Sequence, residues 1–179
     1  MGSVPLSFPP MPTYIALLRA VNVGGTGKLP MADLRAMCED AGFQRVRTYI
    51  ASGNVVFDSN RTPAQAKAAL EKRLATYAGK PVGVVLRRRD ELERALTAQP
   101  FAGAAPNRVV VIFLDDPPPA DALDTLRHRR DEQLALGERE IYVHYGDGMA
   151  DSRLVIPAAR AGTGRNLNTI AKLIEMAAA

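Results

Sequence analysis

The sequence predicts an α+β fold built from two related halves, and three observations lead to this prediction. Residues 14–87 alternate strand-like apolar runs with amphipathic helical patterns in the order β-α-β-β-α-β, which is that of a ferredoxin-like unit. A variant of this order begins again after residue 101. The chain has 179 residues, of which 47% are hydrophobic, enough for one domain or two small, closely packed ones with a sizeable core.

The first half opens with a strand, a helix and a hairpin. The apolar run YIALLRAV predicts the strand. Residues 30–42 show apolar side chains at helical spacing, with Pro30 at the start and Gly42 just past the end. The β-rich runs RVRTYI and NVVFD are separated by ASG, which predicts a hairpin.

Two helices and a fourth strand complete the first half. Thr62 is placed as the N-cap of one helix, with Pro63 at the first helical position and Gln65 placed to form a capping box. The run VGVVLR predicts the fourth strand. A further helix follows it, and Asp90 is predicted as its N-cap.

The second half is predicted as a variant of the first. It contains a strand at residues 108–114, a helix started by proline at residues 119–130, and two β-rich runs separated by Gly137. The final segment LNTIAKLIEMAA predicts an amphipathic helix. We place the boundary between the halves in residues 101–107. The predicted divisions are a disordered leader at 1–13, a ferredoxin-like subdomain at 14–100 and an α/β subdomain at 101–179.

Composition limits the classes of function. A net charge of +4 and an isoelectric point near 9.5 permit an anionic ligand without requiring one. The apolar runs are too short to cross a bilayer, and residues 1–10 lack the features of a secretory signal. The single Cys38 excludes an internal disulfide and indicates a reducing, cytoplasmic setting, and two histidines are too few for a zinc site. We therefore predict neither a metal site nor a membrane partner.

The glycine-rich stretch VNVGGTGKLP looks like a phosphate-binding loop but does not fit the two best-known motifs. Asn22 stands where a Walker loop has its first glycine, and a leucine follows Lys28 where a metal-binding hydroxyl is needed. Pro30 stands where the dinucleotide fingerprint has its third glycine. Lys28 and the amides around Gly24 and Gly25 would still suit an anion, unless the glycines serve only a tight connection.

Arg19 and the turn ASGNVVF supply further candidate residues. Arg19 interrupts an apolar strand, where its guanidinium needs either a carboxylate partner or a ligand. Ser52 and Asn54 flank a glycine, although a hairpin turn alone would explain them.

The segment GTGRNLNT forms a second potential anion site. It presents Thr163, Arg165, Asn166 and Asn168 just before the final helix, whose first amides attract negative charge. Alternatively, Asn166 or Asn168 is simply the N-cap of that helix.

Two arginine-rich runs have a simpler interpretation. RRR at 87–89 and RHRR at 127–130 lack the interleaved aromatic side chains of single-strand nucleic-acid binders. We interpret them as solvated ends of a strand and a helix. No nucleophile motif is present, so no catalytic residue is predicted.

The chain closely resembles a bacterial family called domain of unknown function 1697. The resemblance rests on LLRAVNVGG, on the lysine before MADL, on GFQRVRTYIASGN and on the later TGRNLNT. It covers nearly all of the chain from Tyr14 onward and implies an α+β protein of two ferredoxin-like subdomains. It implies no activity, catalytic residue or cofactor. Leu167 departs from the family, which often has tryptophan there.

These observations lead to a hypothesis about function. Three polar segments carry most of the candidate residues, namely the loop at 22–28, the turn at 52–54 and the segment at 163–168. If they converge, they form a cationic cleft rich in amides, suited to a nucleotide or a phosphorylated metabolite. The alternatives are nucleic-acid binding through the sheet, with Tyr49 and Phe57 as its aromatic side chains, a protein-interaction module, or an enzyme acting on the same anion. The predicted ligand-binding residues are Arg19, Asn22, Gly24, Gly25, Lys28, Ser52, Asn54, Thr163, Arg165, Asn166 and Asn168. The sequence leaves the cofactor and the oligomeric state open.

Overall fold

The computed structural model describes residues 11–19, 29–49, 53–146 and 148–178. The elements of the first half are β1 (Thr13–Leu18), α1 (Met31–Asp40), β2 (Gln44–Tyr49), β3 (Asn54–Asp58), α2 (Pro63–Ala78), β4 (Val84–Arg88) and α3 (Arg89–Ala98). Those of the second half are β5 (Val109–Phe113), β6 (Gln133–Leu136), β7 (Glu140–His144), β8 (Thr163–Asn166) and α4 (Leu167–Ala178). Short 3-10 turns lie at Pro106–Arg108, Ala122–Thr125 and Pro157–Ala159.

The two halves build two four-stranded antiparallel sheets with the same topology. The first has the order β2-β3-β1-β4 and the second β6-β7-β5-β8. In each sheet the first strand of the half pairs with the third and the fourth, as in a ferredoxin-like unit. The predicted fold class, with a second half that varies on the first, is confirmed. The boundary placed in residues 101–107 stays a prediction.

Local sequence signals explain several elements. Thr62 Oγ1 accepts a hydrogen bond from the Gln65 amide at 3.2 Å, and Gln65 Oε1 accepts one from the Thr62 amide at 3.0 Å, which is the predicted capping box. Gly42, just after α1, has a φ of 87°, a left-handed conformation that favours glycine. The predicted hairpin is β2 and β3, which pair in an antiparallel arrangement.

The helix predicted at residues 119–130 is wrong. Only a 3-10 turn forms at Ala122–Thr125, and the backbone of Arg127 then pairs with that of Val155 in both directions, at 2.9 and 3.0 Å. The physical reason is that residues 127–131 are all polar and exposed, so a continued helix would bury no apolar face.

The N-cap predicted at Asp90 is also displaced. The helix α3 begins at Arg89, because Glu91 Oε1 accepts a hydrogen bond from the Arg88 amide at 3.0 Å and so fixes Arg88 as the N-cap. Asp90 lies in the first turn, where its charge favours the helix dipole.

Both faces of the first sheet are buried. Alternate residues of β1, such as Tyr14 and Leu18, face α1 and α2, whereas Ile15 and Leu17 face a core shared with the second sheet. Burial on both faces explains why β1 is a continuous apolar run rather than an alternating one.

The shared core joins the two halves of the chain. Helices α3 and α4 pack against each other and contribute Leu92 and Ile170 to it, while β5 contributes Val111 and Phe113. The outer face of the second sheet is covered by the segment before β8 rather than by helices. None of the described helices combines the length and apolar character that a membrane span requires.

We expect Cys38 to make stability pH-dependent on the alkaline side. Burial raises the pKa of its thiol from 9.0 to about 12. Above pH 9 the unfolded chain therefore loses this proton while the folded protein keeps it, so the free energy of unfolding falls as pH rises. Between these two pKa values, the Cys38 thiol should lower the free energy of unfolding by about 1.4 kcal/mol per pH unit. Urea unfolding at about pH 9 and about pH 10.5 measures it.

Cys38→Ala is the control for this prediction. It should remove the contribution of the thiol, whereas the contribution of Tyr142, whose pKa is also raised to about 12 by burial, is common to both proteins. Equal pH slopes in the two proteins would contradict the assignment to Cys38.

Candidate functional site

Arg165 lies at the point where the two sheets meet. Its side chain is buried, with 7% of the residue exposed. Its Nε donates to Asn54 Oδ1 at 2.7 Å, its Nη1 to Thr163 Oγ1 at 2.6 Å and its Nη2 to the Leu18 carbonyl at 2.9 Å. Further hydrogen bonds reach the carbonyls of Gly164 and Gly53, at 2.9 and 3.3 Å. These acceptors are all neutral groups.

The hydrogen bonds of Arg165 connect strand ends from both halves. Arg165 itself belongs to β8, where it pairs with Val111 of β5 in the second sheet. Leu18 ends β1 and Asn54 begins β3, and both strands belong to the first sheet. A single guanidinium therefore joins the two sheets at this edge.

Asn54 and Thr163 hold the guanidinium in place. Asn54 is fully buried, and its Nδ2 donates to the Tyr49 carbonyl at 3.1 Å, across the hairpin. Thr163 donates from its hydroxyl to the Leu18 carbonyl at 3.3 Å. Burial lowers the pKa of Arg165 to about 10, which leaves the guanidinium charged at neutral pH.

Arg19 follows β1 directly and lies beside this cluster. Its amide donates to the Gly83 carbonyl at 2.9 Å, and its Nη2 donates to the Arg160 carbonyl at 2.6 Å. Its Nε is buried and has no hydrogen-bond partner, and no carboxylate pairs with Arg19 among the described residues. The ion pair considered as an alternative for Arg19 is therefore not formed within the described part of the chain.

Gly83 allows the Arg19 side chain to take this path. A Cβ at position 83 would lie 2.8 Å from Cδ and 3.3 Å from Nη1 of Arg19, closer than side chains normally approach. The absence of a side chain on Gly83 thus lets the arginine lie against the backbone that leads into β4.

The other predicted residues have different positions. Asn166 accepts a hydrogen bond from the Thr169 amide at 2.9 Å, so it caps α4, as its alternative interpretation proposed. Asn168 is exposed in the first turn of α4. Asn22, Gly24, Gly25, Lys28 and Ser52 lie outside the described residues. In the described part of the predicted site, hydrogen bonds thus bring together Asn54, Thr163 and Arg165, and Arg19 follows Leu18, whose carbonyl Arg165 binds.

Leu167 is a packing residue in this protein. It is buried in the core shared by the two sheets, at the first position of α4.

Arg87 is a structural arginine that the sequence interpretation missed. The prediction that the run at 87–89 is solvated is wrong for Arg87, because only 2% of this residue is exposed. From β4 its Nη2 donates to the carbonyls of Leu114 and Arg139, at 2.6 and 3.2 Å, and its guanidinium carbon lies 5.5 Å from the centre of the Phe113 ring. Burial and the neighbouring Arg139 lower the pKa of Arg87. The signal in the sequence was an arginine that continues an apolar strand.

Arg47 forms a third connection between the halves. Its Nη1 donates to the Met176 carbonyl in the last turn of α4, where a positive charge also favours the helix dipole. Its Nε donates to the Arg45 carbonyl at 2.9 Å. Burial and the charge of Arg45 lower the pKa of Arg47.

Comparison with known proteins supports the fold and supplies no activity. The family described as "Protein of unknown function (DUF1697)" matches residues 11–142. The chain is similar to the solved structure of the conserved bacterial protein SP0830 from Streptococcus pneumoniae, with a TM-score of 0.76 and 26% sequence identity over 94% of this chain and 99% of that chain. A search of curated proteins finds no match. The family match includes Arg19 and Asn54 and ends before Arg165.

We expect Arg165→Ala to destabilise the fold strongly. It leaves Asn54 Oδ1 and the Leu18 carbonyl buried without their guanidinium donor. The free energy of unfolding should fall by about 3 kcal/mol or more. Urea unfolding followed by circular dichroism measures the loss.

The matched control is Arg35→Ala, which removes an exposed arginine from α1. Arg35 pairs with Glu39 at 3.6 Å, and its side chain is 61% exposed. We expect a change within about 0.5 kcal/mol for this variant. A similarly small change for Arg165→Ala would show that the strand ends do not depend on the guanidinium.

Proposed function

We propose that this chain, which belongs to the DUF1697 family of proteins of unknown function, binds a small anionic ligand at the end of β1. The ligand class is a nucleotide or a phosphorylated metabolite. The observation that supports the proposal is the half-buried guanidinium of Arg19 at the junction of the two sheets, which among the described residues donates to one carbonyl and pairs with no carboxylate. This proposal assigns binding and no catalytic step.

Arg19 has the properties of a ligand-binding cation. It is half-buried, so part of the guanidinium reaches solvent while its stem is held against Gly83. Within the described residues a single carbonyl, that of Arg160, occupies one of its nitrogens. A guanidinium that is partly desolvated and not neutralised gains most from a phosphate or carboxylate, with which it forms paired, charge-assisted hydrogen bonds.

Arg165 has a positioning role in this proposal. Its donors are engaged by protein acceptors, so it is poorly suited to make the main contact with a ligand. It holds the ends of β1 and β3 together, and those ends lead into the segments predicted to complete the site. We propose that Asn22, Gly24, Gly25 and Lys28, which follow Arg19 in the chain, and Ser52, which precedes Gly53, supply the further contacts.

The alternative of nucleic-acid binding through the sheet has less support. Phe57 is fully buried and stacks on Phe43 with ring centres 4.0 Å apart, and Tyr49 packs against the shared core. Recognition modules of that type need aromatic side chains on an open sheet face, whereas both faces of the first sheet are covered.

A cytoplasmic setting is part of the proposal. Cys38 is the chain's one cysteine, and its thiol is free and buried. A protein with a free thiol and no disulfide suits a reducing compartment.

The test compares Arg19→Ala with the unchanged protein in binding of adenosine monophosphate and inorganic phosphate. We expect isothermal titration to show saturable binding of at least one of them, and Arg19→Ala to weaken it about tenfold or more, because a charge-assisted hydrogen bond is lost. Arg19→Lys should recover part of the affinity, since it keeps the charge but not the paired geometry.

Two controls separate binding from folding. Arg94→Ala removes an arginine of α3 whose side chain is 62% exposed, and it should bind like the unchanged protein. The thermal midpoint of Arg19→Ala without ligand should stay within a few degrees of the unchanged protein. Full affinity in Arg19→Ala, or a collapse of its stability, would overturn the assignment of Arg19 as a ligand-binding residue.

A further inference from the structure

A basic cavity in the second half lies apart from the residues of the proposed site. Its volume is about 840 Å³, which is within the range of small-molecule sites. It lies between the segment that precedes β6 and the segment that precedes β8. The lining residues are His128, Arg129, Arg130, Ala150, Asp151, Ser152 and Arg153.

A buried carboxylate holds the two walls of this cavity together. Glu132 is 2% exposed, and its Oε1 accepts a hydrogen bond from the Arg130 amide at 2.7 Å while its Oε2 accepts one from the Ser152 hydroxyl at 3.2 Å. The Glu132 carbonyl accepts a hydrogen bond from Arg129 Nε at 2.8 Å. The backbone pair between Arg127 and Val155 joins the same two segments. The cavity is therefore built by specific contacts on both sides.

The arginines of the cavity have unused hydrogen-bond donors. Arg130 and Arg153 are exposed, and within the described residues their guanidinium groups make no hydrogen bond or ion pair with the protein. Among the described residues of the lining, Asp151 is the one acid. The carboxylate of Asp131 lies against Gly146 and does not line the cavity. Among the described residues, the three arginines of the cavity therefore outnumber its acids, even when the buried Glu132 is counted with Asp151.

We infer that this cavity binds a small molecule that carries a diphosphate or longer phosphate chain. Three arginines line this one cavity, and together they match the clustered oxygens of linked phosphates, which a single arginine cannot cover. In the part of the chain that the structure describes, the cavity contains no aromatic ring other than the His128 imidazole. A small phosphate compound therefore fits better than a nucleic-acid strand, whose bases need stacking partners.

The experiment titrates inorganic pyrophosphate into the unchanged protein and into the double variant Arg130→Gln/Arg153→Gln. The unchanged protein should bind one pyrophosphate at this cavity, and the double variant should bind it about a hundredfold more weakly, or about tenfold for each guanidinium lost. The affinity should also fall as salt concentration rises.

A second double variant controls for net charge. Arg35→Gln/Arg94→Gln removes the same number of positive charges from exposed positions on α1 and α3, with side chains 61% and 62% exposed. It should retain the affinity of the unchanged protein. If both double variants weaken binding equally, or if neither does, the inference is overturned, because the attraction then does not arise at this cavity.

Two further measurements distinguish binding at this cavity from binding at Arg19 and from binding of a nucleic-acid strand. Arg19→Ala should leave pyrophosphate binding at the cavity intact, so a failure of the proposed function does not affect this test. A short single-stranded oligonucleotide should compete only weakly with pyrophosphate. Competition by the oligonucleotide at lower concentration than pyrophosphate itself would overturn the inference in favour of a nucleic-acid backbone.

Discussion

The arrangement of the two sheets depends on the buried guanidinium of Arg165. When the second sheet packs on the first, the carbonyls at the end of β1 and the start of the hairpin strand β3 become inaccessible to water, and each needs a donor. Only arginine has a planar, rigid group with five N–H donors, which here donates to Leu18, Asn54 and Thr163 at once. A lysine at this position would carry the same charge but could not satisfy acceptors on several strands. The geometry of the guanidinium therefore determines which strand ends meet.

Arg87 and Arg47 extend the same principle to the other edges of the interface. Arg87 reaches from the first sheet to carbonyls of the second, and Arg47 reaches from β2 to the last turn of α4. Burying a cation against neutral carbonyls contributes less to stability than an equal apolar surface would. A buried guanidinium instead restricts the geometry of the interface, because each of its N–H groups requires a carbonyl in the direction in which it points. The apolar core between the sheets supplies the attraction, and the arginines select one alignment from the many that an apolar core would tolerate.

The sequence predicts the elements whose signals are local. It does not predict features of one half of the chain that depend on contacts with the other half. The capping box at Thr62 and the continuous apolar run of β1 act over a few residues, so they can be read without the rest of the fold. The helix expected at 119–130 failed because a helix needs a surface to cover, and the segment before β8 already covers that face. The burial of Arg87 cannot be predicted from its own strand, because whether a strand arginine contacts water depends on where the second sheet lies. The hydrogen bonds join the Asn54 turn to the Arg165 segment, two of the three segments that the sequence groups together, but the separate roles of Arg165 and Arg19 follow from those bonds and not from the sequence.

Burial and the number of engaged donors, rather than charge, distinguish the structural arginines Arg165 and Arg87 from the arginines proposed to bind ligands. Arg165 and Arg87 are buried and donate to several carbonyls, so the fold engages most of their donors, although the Nε of Arg87 has no partner. Arg19 is only half-buried and donates to one carbonyl, and Arg130 and Arg153 are exposed and have guanidinium groups without protein partners among the described residues. A ligand gains free energy only from donors that the protein has not already engaged, since replacing an existing hydrogen bond yields little net benefit. The same residue type thus holds the halves together where its donors are engaged, and it is available for anions where they are not.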